Sequence, residues 1–184
     1  MRRILLIAAM CLLAVTSTGC KKAQLRRQLK ELMGTTIVLP EKITCVYNGE
    51  VYPMPDSLRS KAMMIVYVDS TQCSTCEISH LPELFPSFDL ASTSGTFNVM
   101  VLLDFKKSEK EGFMDYLVDF CFQYPLFVDD CSAFLHDNPV VTKNSSFHNL
   151  LIDASHRILF VGSPVKDRRV SPFLSRTITT RLRK

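Results

Sequence analysis

Two cysteines separated by two residues, Cys73 and Cys76, are the side chains of this sequence best suited to chemistry. They follow the apolar run "MMIVYV" at 63–68. A thiol pair at this spacing can exchange electrons through a disulfide, supply half of a zinc site, or lie as two thiols in a core. The pair alone leaves all three open, so the compartment and the fold must distinguish them.

The N-terminal segment indicates the compartment. Met1-Arg-Arg is followed by the apolar stretch "ILLIAAMCLLAV", which is typical of a secretory signal and too short for a permanent membrane span. Next comes "TSTGC", in which Gly19 before Cys20 resembles the lipobox of bacterial lipoproteins. We predict that residues 1–19 are a lipoprotein-type signal peptide and that Cys20 carries the lipid. The alternative is ordinary secretion with Cys20 as a free thiol.

Residues 20–34 are predicted to form a basic helical spacer next to the anchor. Four apolar residues recur at helical spacing, namely Leu25, Leu29, Leu32 and Met33. Gly34 is predicted to end the helix. Basic residues accompany them and would strengthen attachment to anionic lipid: Lys21, Lys22, Arg26, Arg27 and Lys30. Loss of residues 1–19 lowers the formal charge from +4 to +2. Nothing in this balance favours binding to nucleic acid.

The remainder, 35–184, is predicted to be one domain in which strands and helices alternate. The segments "TTIVLP", "KITCVY" and "EVYPM" predict short strands, and Asn48-Gly49 predicts a hairpin turn. The continuous apolar runs "KAMMIVYVD" and "TFNVMVLLDF" predict buried strands of a sheet that is covered on both faces. "PLFVDD" and "FHNLLIDASHRILFVG" add a short strand and a closing hairpin.

Four helical segments complete the predicted order. The first runs from Ser74 to Leu84, with Pro82 as a kink or a late boundary. The second, in "SEKEGFMDYLVDFCFQ", has a capping box of Ser108 and Glu111. Asp129 or Asp130 is predicted to cap a helical turn through Leu135. A final helix begins at Ser171-Pro172, with Leu174, Ile178 and Leu182 on one face. This alternation is typical of an α/β sheet with helices on both faces.

The order of these motifs resembles the thioredoxin superfamily, in which a central strand leads to Cys-x-x-Cys at the start of a helix. "CEISHLPEL", "YPLFVDD" and "LLIDASHRILFVG" are similar to stretches of the periplasmic TlpA/ResA-like redoxins of the AhpC/TSA type. The resemblance covers residues 35–184. It implies a thioredoxin-like fold with a central mixed sheet, helices on both faces and an N-terminal β-hairpin extension.

The resemblance also implies a function. The protein would be a thiol-disulfide oxidoreductase in which Cys73 attacks a substrate disulfide and Cys76 resolves the mixed disulfide. Its partners would be periplasmic protein thiols and disulfides and an upstream redox partner, and it would need no cofactor or metal. The expected form is a monomer, lipid-anchored to a membrane of the bacterial cell envelope, with its domain in the periplasm.

Several residues around the motif depart from the family pattern and are predicted to shape the site. Ser74 and Thr75 lie between the cysteines, and Gln72 replaces the usual aromatic residue before the first cysteine. Tyr67 replaces the buried acid, so Asp69 or Glu77 would be the nearest carboxylate. Phe147, followed by His148, stands where the family has a cis-proline. His80 and His148 are both candidates for contact with the site.

Two other functions remain open at this stage. In a peroxidase of the same fold, a Ser or Thr precedes the reactive cysteine by three residues, as Ser70 precedes Cys73. A lipoprotein that has lost turnover could instead act as a binding module. Zinc binding would need two more soft ligands, and the sequence offers Cys45, Cys121 and Cys131. Cys121 and Cys131 could also form a structural disulfide or be buried thiols.

Overall fold

A computed structural model describes residues 22–69, 78–105, 108–129, 131–141, 144–164 and 167–183. Its strands are β1 (Ile43–Tyr47), β2 (Glu50–Pro53), β3 (Met63–Val68), β4 (Asn98–Leu103), β5 (Leu126–Asp129), β6 (Asn149–Ile152) and β7 (Ile158–Val161). Its α-helices are α1 (22–32), α2 (Asp56–Arg59), α3 (Phe85–Ser94), α4 (Lys110–Phe120), α5 (Ala133–Asp137) and α6 (Ser171–Thr177). A π-helical turn, Ile178–Leu182, extends α6.

The strands form one mixed sheet in the order β2-β1-β5-β4-β3-β6-β7. β3 pairs parallel with β4, and β4 pairs parallel with β5. The remaining neighbours are antiparallel, including the predicted closing hairpin of β6 and β7. The predicted fold class, a mixed α/β sheet with an N-terminal hairpin, is therefore confirmed.

β3 lies inside the sheet and is buried at all six of its positions. Successive side chains of a strand point to opposite faces. Met64 and Val66 accordingly pack into one apolar cluster, while Met63, Ile65 and Tyr67 pack into another. This double burial explains why the sequence of β3 is continuously apolar rather than alternating.

The Asn48-Gly49 turn is confirmed, because both residues have positive φ, 53° and 75°, between β1 and β2. Positive φ at both central positions is what a type I′ hairpin turn requires. The C-terminal helix also begins at Ser171, with a proline in its first turn. Leu174 and Ile178 are buried, as their shared face predicted.

The strand predicted in "TTIVLP" is wrong. Thr36 forms a single bridge with Arg157, and the Ile37 N–H donates to the carbonyl of His156 at 2.9 Å. The next N–H, that of Val38, donates instead to the Asn138 side chain at 2.9 Å. The Asn138 side chain thus replaces the backbone partner that a strand would need, so the pairing next to β7 ends after a single bridge.

Two predicted helix boundaries are also wrong. The helix predicted from Ser74 to Leu84 is α-helical at 78–79 and changes to a 3₁₀ segment, Leu81–Leu84, at the predicted Pro82. It does not end at Leu84 but continues as α3 to Ser94, where Gly95 ends it with φ 62°. α4 begins only at Lys110, and Glu109 at its N-cap position makes no capping bond through its side chain. Because Glu109 rather than Ser108 is the N-cap residue, Ser108 and Glu111 do not occupy the two positions of a capping box.

The N-terminal segment is helical, and Gly34 beyond it has φ 81°. Its last turn is more than a solvated spacer, because Leu32 is completely buried among residues of β3 and β6. Leu25, two turns earlier, is 39% exposed. Within the described residues, no helix has both the length and the apolar character needed to cross a membrane.

We expect Leu32→Ala to lower the free energy of unfolding by about 2–5 kcal/mol, since it removes a buried side chain and leaves a cavity. Leu25→Ala, in the same helix, is the matched control and should change stability by less than about 0.5 kcal/mol. Urea unfolding measures both. Equal effects of the two substitutions would contradict the packing of α1 into the core.

Candidate functional site

The predicted redox motif follows β3 directly along the chain. Residues 70–77, which contain Cys73, Cys76, Gln72, Ser74 and Thr75, lie outside the described residues, as does Cys20. The structure does describe the sheet edge from which this segment departs, and the side chains gathered there.

That edge is formed by the carboxyl ends of three parallel strands. Val68 of β3 pairs with Leu103 of β4, and Leu103 pairs with Val128 of β5. The residue after each of these is an aspartate: Asp69, Asp104 and Asp129. In open α/β sheets, sites form outside the carboxyl ends of the strands. The register therefore brings three carboxylates to the edge from which the cysteine segment leaves.

Tyr67 is the second-last residue of β3 and is only 3% exposed. Its ring stacks on Phe134, with centroids 4.9 Å apart, and meets the edge of the His148 ring at 5.2 Å. Its hydroxyl donates a hydrogen bond to Oδ2 of Asp104 at 2.9 Å. The phenol that was predicted to replace a buried acid is thus bonded to a carboxylate that a neighbouring strand supplies.

Asp104 is buried, and its two carboxylate oxygens accept from different hydroxyls. Tyr67 bonds Oδ2, and the Ser132 hydroxyl donates to Oδ1 at 2.5 Å. Ser132 itself is exposed, so the three side chains lead from the interior to the surface. We call them the Tyr67–Asp104–Ser132 cluster.

Sequence reasoning missed Asp104, and named Asp69 or Glu77 instead because they are closest to the cysteines along the chain. Glu77 lies outside the described residues, whereas Asp69 is partly exposed. The available signal was the position of Asp104 at the end of the second apolar run, "NVMVLLD". Once that run pairs parallel with β3 in this register, its terminal carboxylate must lie beside the end of β3.

Asp129 holds the loop that carries Ser132. Its Oδ2 accepts the N–H of Phe134 at 2.7 Å, and its Oδ1 accepts the N–H of Cys131 at 3.3 Å. The prediction was that Asp129 or Asp130 caps the following turn; the N-cap residue is Ser132, and Asp129 accepts an N–H of the first helical turn from a position three residues earlier. Ser132 occupies the left-handed region with φ 51°, a conformation that these bonds stabilise. Asp129 therefore positions the hydroxyl that contacts Asp104.

Phe147 and His148, just before β6, stand where a cis-proline was expected. The ring of His148 contacts Tyr67, and Phe147 lies in the same apolar cluster as Tyr67. Phe147 ends a short 3₁₀ segment and is buried, and the carbonyl of His148 accepts the N–H of Tyr67 at 2.8 Å. None of the peptide bonds in the described ranges is cis. His80, by contrast, is exposed, and its Nδ1 lies 2.6 Å from Oε1 of Glu83. Of the two candidate histidines, the structure brings His148 to the cluster.

Burial raises the pKa of Tyr67 far above its ordinary value, and the negative charge of Asp104 raises it further. Asp69 and Asp129 act in the same direction. A phenolate is disfavoured in an apolar site next to carboxylates. The hydroxyl of Tyr67 therefore stays protonated and remains a hydrogen-bond donor to Asp104 at any physiological pH.

The three described cysteines are free thiols. Cys45 is buried, and burial raises its pKa, whereas a hydrogen bond with Tyr52 lowers it. The same hydrogen bond raises the pKa of Tyr52 to about 12.

Cys121 and Cys131 are both exposed and unbridged. The predicted alternatives of a structural disulfide between them or of a pair of buried thiols are therefore wrong. Among the described residues, His, Cys, Asp and Glu form no group of three suited to a metal ion.

The raised pKa of Tyr67 predicts a loss of stability at alkaline pH. The unfolded chain releases the phenol proton near its ordinary pKa of about 10, whereas the folded chain keeps it, so stability falls as the pH rises further. We expect Tyr67→Phe to reduce the slope above pH 10 by up to about 1.4 kcal/mol per pH unit. Tyr52 remains in both proteins and contributes equally.

Urea unfolding between pH 9 and pH 11 measures these slopes. Ser132→Ala is the control, since it disturbs the same cluster without removing a titrating group, and it should keep the slope of the parent protein. Identical slopes for the parent and Tyr67→Phe would contradict the buried, carboxylate-bonded state of this phenol.

Comparisons with known proteins support the fold. No family model matches the chain, and no curated protein matches it either. Among solved structures, it is similar to a protein from Aquifex aeolicus VF5 described as an electron transfer protein, with 14% identity, a TM-score of 0.52 and coverage of 81% of this chain and 98% of that one. A protein from Chlorobium tepidum described as the thiol:disulfide interchange protein DsbE has 12% identity and a TM-score of 0.51, covering 79% and 97%.

AhpC from Enterococcus faecalis is a third similar structure, with 10% identity, a TM-score of 0.51 and coverage of 82% of this chain and 95% of that one. These proteins are covered almost completely, so the similarity extends over a whole domain rather than a shared motif. Together with the mixed seven-stranded sheet, they establish that this chain has a thioredoxin-like fold.

Proposed function

We propose that this protein is a thiol-disulfide oxidoreductase that uses Cys73 and Cys76. The observation that carries the proposal is the position of the Cys-x-x-Cys motif, which begins five residues after Val68 at the end of the central strand β3. That strand ends beside the Tyr67–Asp104–Ser132 cluster, of which Tyr67 and Asp104 are buried, in a thioredoxin-like fold. An enzyme that moves protons together with electrons needs titratable groups at such a place.

The proposed reaction is a two-step exchange. The Cys73 thiolate attacks one sulfur of a substrate disulfide, forms a mixed disulfide and releases the other substrate sulfur as a thiolate, which takes up a proton. Cys76 then loses its proton and attacks Cys73, so that the Cys73–Cys76 disulfide forms and the second substrate thiol leaves. The substrate disulfide gains two electrons, and the cysteine pair supplies them. The reverse sequence oxidises a substrate dithiol.

Two features of the edge support this chemistry. The motif follows a strand that is buried on both faces and paired on both sides, which gives the reactive segment a rigid starting point. His148, which lies just before β6, contacts the ring of Tyr67 and accepts its backbone N–H. A substrate bound beside Tyr67 would therefore lie near side chains of β3 and of the segment that precedes β6. The name of the Chlorobium tepidum protein agrees with the same activity.

The proposed location follows from the N-terminal sequence. Cleavage before Cys20 and its acylation would anchor the chain to a membrane of the bacterial cell envelope, with the domain in the periplasm. Disulfide exchange is expected in such an oxidising compartment. The proposed partners are accordingly periplasmic protein thiols and disulfides, together with a redox protein that resets the cysteine pair.

We expect Cys76→Ser to accumulate covalent complexes with partner proteins, because the mixed disulfide at Cys73 can no longer be resolved. Cys73→Ser should accumulate none. Both variants are made in a full-length chain that also carries Cys121→Ser and Cys131→Ser, since these exposed thiols could otherwise react by themselves. Non-reducing gels and mass spectrometry of the trapped peptides measure the outcome.

Trapping that is equal for Cys73→Ser and Cys76→Ser, or absent for both, would contradict the proposed exchange. Absent trapping with an unreactive cysteine pair would favour the alternative of a binding module without turnover. Sustained peroxide consumption in the presence of a reductant would favour a peroxidase instead.

A further inference from the structure

We propose that one side of α1 is a membrane-docking surface that holds the domain against an anionic bilayer in a fixed orientation. This surface, which we call the α1 docking surface, consists of Lys22, Leu25, Arg26 and Lys30. The sequence predicts basic residues near a lipid anchor, and the structure adds that the helix carrying them is packed into the domain. The proposal goes beyond the proposed redox chemistry and does not depend on it.

The burial of α1 increases along its length. Leu25, Leu29 and Leu32 recur at helical spacing and share one face of the helix. Leu32 is completely buried, Leu29 packs partly buried against the same apolar cluster, and Leu25 is 39% exposed. The core therefore covers the last turn of α1 and leaves the first turns uncovered. Leu25 is thus an apolar side chain on the core-facing side of the helix that the domain does not cover.

A row of three cations lies beside Leu25. They recur every four residues, so they share one side of the helix next to the leucine face, and all of them are exposed: Lys22, Arg26 and Lys30. Among the described residues, the ion pair within this helix joins Arg27 to Glu31 at 3.2 Å and includes no member of the row. An exposed apolar side chain flanked by cations is typical of helices that lie in the interface of an anionic membrane.

The place of α1 in the chain favours a bilayer as the occupant. The helix begins at residue 22, two residues after Cys20, which is the proposed site of acylation. Two extended residues span at most about 7 Å, so an acyl chain on Cys20 would bring the first turn of α1 to the lipid headgroups. Each basic residue near an anionic membrane surface then strengthens binding about fivefold. The charge and the position of the α1 docking surface therefore fit the same occupant.

The packing of Leu32 makes α1 a rigid support for the domain rather than a flexible tether. Leu32 belongs to the apolar cluster on one face of the sheet, whereas Leu174 of α6 belongs to the cluster on the other face. The two helices therefore lie on opposite sides of the sheet. With α1 on the membrane, α6 is directed away from it, and Phe173 of α6, which is 65% exposed, remains in water.

Co-sedimentation with lipid vesicles tests the binding. The chain starts at residue 20, keeps every residue of the described fold and carries Cys20→Ser, so that no acyl chain contributes. We expect it to bind vesicles of equal parts phosphatidylglycerol and phosphatidylcholine, and not vesicles of phosphatidylcholine alone. Binding should weaken as the salt concentration rises from about 0.1 M to about 1 M, because the Debye length falls from about 10 Å to about 3 Å.

Two triple variants with the same loss of charge separate the α1 docking surface from net charge. The first removes the row of cations and should bind the anionic vesicles about 100-fold more weakly; it combines Lys22→Gln, Arg26→Gln and Lys30→Gln. The second removes three exposed cations at the C-terminal helix and should bind within about threefold of the parent; it combines Arg176→Gln, Arg181→Gln and Arg183→Gln.

Leu25→Ala tests the apolar part of the surface. It should weaken binding by up to about tenfold, because a leucine side chain then no longer enters the interface. The same substitution is expected above to leave stability nearly unchanged, so urea unfolding distinguishes lost contact with lipid from a damaged fold.

Tryptophan fluorescence tests the orientation. The chain contains no tryptophan, so a single introduced one reports its own contact with lipid. Leu25→Trp places it in the α1 docking surface, and Phe173→Trp places it at an exposed position on the opposite side of the sheet. On anionic vesicles that contain brominated phosphatidylcholine, the emission of Leu25→Trp should shift to shorter wavelength and be quenched. The emission of Phe173→Trp should change in neither respect.

The proposal is overturned if the two triple variants lose the same affinity, because net charge alone would then account for the binding, or if neither differs from the parent. Equal quenching of the two tryptophans would overturn the fixed orientation. Self-association without vesicles that Leu25→Ala abolishes would assign the surface to a second copy of the chain instead. None of these outcomes depends on a working cysteine pair or on acylation, so failure of the proposed function is seen separately.

Discussion

The parallel pairing of β3 with β4, and of β4 with β5, is the constraint on which the rest of this structure depends. It aligns Val68, Leu103 and Val128, and so brings three strand ends and the aspartates beside them to one edge. These strands are apolar on both faces, so a slip of one residue would exchange their side chains between the two apolar clusters and disrupt the packing of both. The apolar core therefore determines where the carboxylates lie.

Placing a carboxylate at a buried edge imposes a second requirement. Burial of a polar group without hydrogen bonds costs about 1–3 kcal/mol or more, and an unpaired charge costs still more. The structure meets this requirement for Asp104 with two hydroxyls and for Asp129 with two backbone N–H groups. The two buried aspartates thus have different partners: Asp129 holds a loop through backbone N–H groups, whereas Asp104 joins the side chains of Tyr67 and Ser132.

The elements with strong local signals could be predicted from the sequence. The six consecutive apolar residues of β3 indicate a buried strand by themselves, and Asn48-Gly49 specifies its own turn. Features that depend on distant partners could not. The strand expected in "TTIVLP" fails because Val38 bonds to the side chain of Asn138, and Ser132 reaches Asp104 only after the loop beyond β5 has been folded back by Asp129. Asp104 was not predicted as a site residue, because its contact with Tyr67 depends on the register of β3 and β4 and not on closeness to the cysteines along the chain.

We propose that Cys73 and Cys76, which follow β3 along the chain, form one reversible redox couple. It is tested most directly by equilibrating the full-length chain in glutathione buffers of stepped potential, alkylating the free thiols and mapping the peptides by mass spectrometry. We expect Cys73 and Cys76 to become protected together, as a two-electron couple whose ratio changes tenfold for about every 30 mV, while no Cys121–Cys131 disulfide forms. Cys73 and Cys76 that are never joined, or that respond independently of each other, would contradict it.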